Sequence, residues 1–127
     1  MVQMSTRKRI KSTEHRRALL MGEILETKFM VRGTFGQVYR RCGKPTCWCA
    51  EGEGHLSNRI TWTEGGKSRT KAIPEEDIAW IKSMTQNYKA FRKARQNIRE
   101  LAARLSNLLD ELEREIVERT NQKRTYL

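Results

Sequence analysis

The sequence predicts an α+β protein: a short N-terminal helix, a small antiparallel sheet with a cysteine-rich loop, and a long C-terminal coiled-coil-like helix. Three observations predict it. After Pro74 the chain runs to Leu127 without a glycine or another proline, and apolar residues recur along it every seven positions. Between Phe29 and Ile73, β-branched and aromatic residues gather in short runs, two of them separated by Gly65-Gly66. A Gly- and Cys-rich stretch at 42–54 interrupts those runs and reads as a loop.

Residues 1–11 (MVQMSTRKRIK) are basic and carry no apolar period, so they read as a flexible arm. Ser12-Thr13-Glu14 offers a helix cap, and 13–27 reads as a short helix with Leu20, Ile24 and Leu25 inward. Phe29 to Phe35 reads as a strand, with Gly36 to Arg40 as its continuation or return. Leu56–Thr63 and Ser68–Ile73 form a hairpin about Gly65-Gly66, with Ile60 and Trp62 on one face. Pro74 followed by Glu75, Glu76 and Asp77 is a helix start, because proline suits the first turn and acids suit the positive end of the helix dipole. The helix then spans 75–119, about 68 Å at 1.5 Å per residue. The chain divides into an arm (1–11), a small α+β domain (12–73) and the long helix with its tail (74–127).

Met84, Phe91, Ile98, Leu105 and Leu112 fall seven residues apart, and Leu101 and Leu108 supply the second seam position. Such a seam pairs with another helix, either of a second copy or of a partner protein. Charge along the helix is polarised. Residues 82–104 are basic apart from Glu100, and 105–118 are acidic apart from Arg114. An antiparallel pairing, between two chains or with a partner protein, is therefore expected, because it sets the basic half against the acidic half whereas a parallel pairing sets like charges together.

Cys42, Cys47, Cys49 and His55 carry the densest chemistry, in the pattern C-x4-C-x-C-x5-H. Zinc takes four nitrogen or sulfur ligands in a tetrahedron, and three thiolates with one imidazole is a common structural set. Gly43, Pro45, Gly52 and Gly54 let the backbone wrap around an ion. Unmetallated thiols, or redox exchange between Cys47 and Cys49, are the alternatives. Three cysteines cannot all pair within the chain, which fits the reducing cytoplasm.

The 127 residues carry a net charge of +11 with a pI near 10.1, which favours polyanionic partners. Three groups of cations are placed to meet phosphates of DNA or RNA. One is the N-terminal set Arg7, Lys8, Arg9, Lys11, Arg16 and Arg17. The second is the hairpin set Arg59, Lys67, Arg69 and Lys71. The third is Lys89, Arg92, Lys93 and Arg95 on the long helix. Trp48, Trp62 and Tyr39 are near these in sequence and can stack on bases. No helix-turn-helix or standard finger spacing is present, which argues against a simple sequence-specific repressor.

The cysteine block CGKPTCWC, Gly54-His55, the Gly66-Lys67 turn, the Pro-acidic helix start and the Asn87-Tyr88-x-x-Phe91 segment together resemble a family of small bacterial proteins of unknown function. Members are commonly found beside transposases and other mobile elements. The resemblance spans roughly residues 30–115 and implies this architecture together with a mobile-element association. Many members carry Gly-Pro-Tyr after the histidine, where this chain has Leu56-Ser57-Asn58.

No run approaches the ~18–20 apolar residues of a membrane span, and Glu23 and Glu26 cut short the apolar run at 18–21. No His–carboxylate pair has catalytic spacing and no Gly-rich phosphate loop opens a helix, so an enzyme is not expected. The expectation is a cytoplasmic nucleic-acid-binding accessory or regulatory protein that oligomerises through its C-terminal helix. The competing expectation is an adaptor whose long helix binds a larger enzyme.

Overall fold

The computed structural model describes residues 4–127. Helix α1 covers Thr6–Glu26, strands β1, β2 and β3 cover Thr34–Arg40, His55–Glu64 and Lys67–Ala72, and helix α2 covers Ile78–Asn121. The chain is thus α+β, as its periodicities predict. It folds as two compact units: residues 28–90 hold the sheet and the start of α2, and α1 with residues from 91 onward forms the other. Among the described residues no helix is long and apolar enough to cross a membrane.

In the sheet unit the strand order is β1-β2-β3, antiparallel throughout. Gly65 and Gly66 turn the β2–β3 hairpin at φ +57° and +79°, left-handed values that a two-residue hairpin turn requires and glycine adopts without steric cost. Because side chains alternate, Phe35, Ile60, Trp62 and Lys71 share one face, which carries the buried Ile60. The start of α2 lies against this inner face: the Lys82 ammonium sits 4.9 Å over the Phe35 ring. Ile78, Ile81, Met84, Thr85 and Tyr88, at helical spacing, are the covered positions of this stretch.

The first strand is shorter than predicted, beginning at Thr34 rather than Phe29. Residues 28–31 run beside α2 instead. The Val31 N–H donates to the Met84 carbonyl at 3.1 Å, and the Asn87 side chain donates to the Phe29 carbonyl at 3.0 Å. Gly33 ends this stretch at φ +135°, and a Cβ there would lie 2.8 Å from the Thr61 carbonyl oxygen. β-Propensity marked Phe29–Val31 as strand, but these tertiary hydrogen bonds take its backbone groups.

The helical unit departs further from expectation. Residues 6–11, read as part of a flexible arm, form the first turns of α1; residues 1–3 lie outside the described residues. Ser5, not Ser12, is the cap, its hydroxyl accepting from the Lys8 N–H at 3.3 Å. The inner face of α1 is Thr6, Arg9, Thr13, Arg17, Leu20 and Ile24. Its first half is polar, so apolar period alone does not reveal it. Thr6 and Thr13 are buried, whereas Leu25, expected inward, is 76% exposed because it falls one position off this spacing.

α1 runs antiparallel to the C-terminal part of α2. The Thr6 hydroxyl donates to the Glu115 carboxylate at 2.6 Å, and the Arg9 guanidinium pairs with Glu111 at 2.8 Å. Leu101 and Leu108 are buried in this unit, while Phe91, Ile98, Leu105 and Leu112 are half-buried. Met84, the first seam residue, belongs to the sheet unit. The acidic half of α2 meets the basic helix α1 of the same chain, a partner the seven-residue period did not name. α2 starts at Ile78 after a 3-10 turn at Glu75–Asp77 and ends at Asn121.

Candidate metal centre

The loop between β1 and β2 begins and ends at one rung of the sheet, since Arg40 pairs with His55. That pairing puts Cys42 and His55 side by side at the neck of the loop. A short 3-10 turn at Trp48–Glu51 folds the tip back, with Cys47 at its cap. Its hydrogen bonds are Cys47 N–H to Lys44 carbonyl at 3.1 Å, Ala50 N–H to Cys47 carbonyl at 3.0 Å and Gly52 N–H to Cys49 carbonyl at 3.3 Å. The last residue before β2 has to be glycine. Gly54 is buried at φ +105°, and a Cβ would lie 2.5 Å from the Arg40 carbonyl carbon.

The result is a cluster of three sulfurs and one imidazole. The ligand atoms of Cys42, Cys47, Cys49 and His55 all lie within 4.8 Å of one another. The Cys47 Sγ is 3.3 Å from His55 Nε2, and the Cys49 thiol donates to the Cys42 Sγ at 3.5 Å. A tetrahedral ion with bonds of ~2.1–2.3 Å separates its ligands by about 3.5–3.8 Å. The four residues thus fit the donor set of one metal ion with little rearrangement. All three cysteines are free thiols. Cys49 is 0% exposed, while Cys42 and His55 are exposed, so the cluster has an inner and an outer side.

Cys42 and Cys49 are polarised in opposite directions by their surroundings. The backbone N–H of Lys44 and hydrogen bonds from Cys49, Cys47 and His55 pull the Cys42 pKa down from 9.0 to about 6. The Cys42 N–H, 3.4 Å from the Cys49 Sγ, favours a Cys49 thiolate, but burial and the Cys42 and Cys47 sulfurs outweigh it and raise its pKa. Metals bind the thiolate. Cys42, largely thiolate at neutral pH, would be the first ligand ready for a metal ion, whereas Cys49 would have to give up its proton to bind one. In metal-free protein, Cys42 is therefore expected to react with iodoacetamide first, at a rate rising through pH 6 and levelling above it, with Cys49 last. Mass spectrometry of timed samples reads this order. Cys49 labelling as fast as Cys42 would contradict it.

The predicted phosphate contacts do not converge on one element. Arg7, Lys8, Lys11 and Arg16 are exposed on α1, but Arg9 pairs with Glu111 and Arg17 forms a two-point pair with Glu14. Lys67, Arg69 and Lys71 extend along β3 on the face that holds Trp62, with Lys71 5.9 Å over the half-buried Trp62 ring. Arg59 lies on the opposite, outer face. Its guanidinium donates to Thr70 Oγ1 at 3.1 Å and Ser57 Oγ at 3.3 Å. On α2, Lys89, Arg92 and Lys93 are exposed and Arg95 is half-buried. Arg40, which β1–β2 register sets beside His55, was not among the expected residues, and only the strand pairing could have found it.

Comparison with known proteins gives one relationship. Neither the curated proteins nor the solved structures contain a match to this chain. A family model described as a domain of unknown function, DUF6788, matches residues 8–83. That range begins within α1, takes in the whole cysteine loop and sheet, and ends in the first turns of α2. With more than half its length matched, the chain belongs to the DUF6788 family.

Proposed function

We propose that this protein is a non-enzymatic, nucleic-acid-binding accessory or regulatory protein whose sheet unit is clipped by one structural zinc ion. The outer face of the sheet is the observation that carries the reading. By register it holds Thr34, Gly36, Val38 and Arg40 on β1, His55, Ser57, Arg59, Thr61 and Thr63 on β2, and Ser68, Thr70 and Ala72 on β3. None of these is a carboxylate, and all are exposed or half-buried. In a chain of net charge +11, such a face offers hydroxyls and guanidinium groups to phosphate. Three sulfurs and an imidazole favour zinc over the oxygen-seeking ions magnesium and calcium. Free cysteines suit a reducing cytoplasm. A link to mobile elements rests on the resemblance of the cysteine block alone.

The adaptor reading has its own observation. Leu109, Ile116 and Val117 are exposed apolar residues on the C-terminal part of α2, a surface suited to a second copy or another helical protein. Fluorescence anisotropy of labelled oligonucleotides across a salt series separates the two readings. Nucleic-acid binding is expected to weaken by at least about tenfold between 50 and 200 mM salt, as several phosphate contacts require. No binding at 50 mM salt would leave the adaptor as the better reading.

A further inference from the structure

We propose that the metal loop and the adjoining outer face of the sheet form a site for single-stranded nucleic acid, with an unpaired base stacked on Trp48 and the backbone following Arg40 and Arg59. This rests on the nucleic-acid reading above and names its ligand class and its site. The first observation is Trp48 itself. It stands between two of the clustered cysteines, beside Cys49 at 0% exposure, yet is itself 70% exposed. Its ring is not loose: the His55 imidazole meets it at 4.8 Å with the planes at 70°. A large aromatic ring held in water forgoes burial that a small core would use. A base supplies the apolar surface that the fold withholds.

The second observation is what lies next to that ring. His55 faces Arg40 across the β1–β2 pair, on the outer side of the sheet. Beyond them come Val38 and Ser57, then Gly36, Arg59 and Ala72. These side chains are small apart from the two arginines, so the face is a low shelf. Arg59 is held on it by Thr70 and Ser57. From Arg40 to Gly36, the partner of Arg59, is four residues, roughly 13 Å along the strand. Two guanidinium groups so placed meet different phosphates. Of the unit's acids, Glu51 and Glu53 lie in the loop, off the strands, Glu64 is on the inner face, and Glu75 lines a hollow with Ser57 and Ala72 at the β3 side of the shelf.

The combination selects single strands. Stacking on a tryptophan needs an exposed base face, which a duplex offers only at its ends. The major groove admits a helix or a two-stranded ribbon, and a three-stranded sheet is broader than either. The shelf and ring therefore match an unpaired strand laid across the sheet, with its salt-dependent grip from arginine and its contact to the base from Trp48.

The test uses full-length, zinc-loaded protein with a labelled 12-mer of oligothymidylate and a blunt 12-base-pair duplex. Metal content and far-UV circular dichroism establish that each variant is folded. Trp48→Ala is expected to weaken oligothymidylate binding by about 5- to 100-fold, the range for losing one stacked base, and to leave duplex binding within twofold. Trp48→Phe, which keeps a ring, restores most of the affinity. Arg59→Gln is expected to flatten the salt dependence by about 0.7 in log–log slope, one phosphate contact to a single strand. If Trp48→Ala binds oligothymidylate within twofold of the unaltered protein, the stacking site is overturned while the nucleic-acid reading stands. Tighter binding of the duplex, unmoved by Trp48→Ala, overturns it in the same way. If the unaltered protein binds neither probe at 50 mM salt, both readings fall together.

Discussion

Cys49→Ser is expected to abolish metal binding and to melt the sheet unit well below the unaltered protein. The buried apolar content of that unit is slight: Ile60 and the Cys49 sulfur are its buried apolar residues among those described. So small a core gains little from hydrophobic burial, and an ion that tied both ends of the loop to its tip would supply what is missing. Structural zinc sites are coupled to folding by ~10–16 kcal/mol in small finger peptides, so losing the innermost ligand forfeits a large share. Serine also leaves a hydroxyl in a fully buried position built for sulfur. Elemental analysis and thermal melting with and without a chelator provide the measurement. The unaltered protein should carry one zinc per chain and lose stability on chelation. One zinc per chain in Cys49→Ser, with an unchanged melt, would show that the cluster is not a metal clip.

The second large effect is expected in the helical unit. Leu108 is 5% exposed on the face of α2 that meets α1, and Leu108→Ala should cost about 2–4 kcal/mol as a cavity opens between two helices. Leu109, its neighbour in sequence, is 53% exposed, and Leu109→Ala should change stability by no more than about 0.5 kcal/mol. Urea unfolding followed by circular dichroism compares them. Equal losses would mean that the α1–α2 contact is not the one described, because the contrast depends on which side of α2 the first helix covers.

Some of this could be read directly from the chain. The long helix follows from an uninterrupted seven-residue period after Pro74, and the hairpin follows from two alternating runs about Gly65-Gly66; both are local patterns with a fixed geometric meaning. The four ligand candidates also stand out, because Cys42, Cys47, Cys49 and His55 fall within one glycine-rich stretch, and the structure places their ligand atoms within 4.8 Å. Tertiary structure decided the rest. Thr6 and Arg9 carry no apolar signature, so residues 6–11 read as a loose arm until Glu115 and Glu111 supply partners over a hundred residues away. Phe29–Val31 resembles a strand until hydrogen bonds with Met84 and Asn87 on α2 claim its backbone. Strand register, which no single strand contains, set Arg40 beside His55 and left the outer strand positions without a carboxylate. Local periodicity determines which elements form. Which faces they bury, and which are left to a ligand, depends on polar contacts between residues distant in sequence, and those have no period to read.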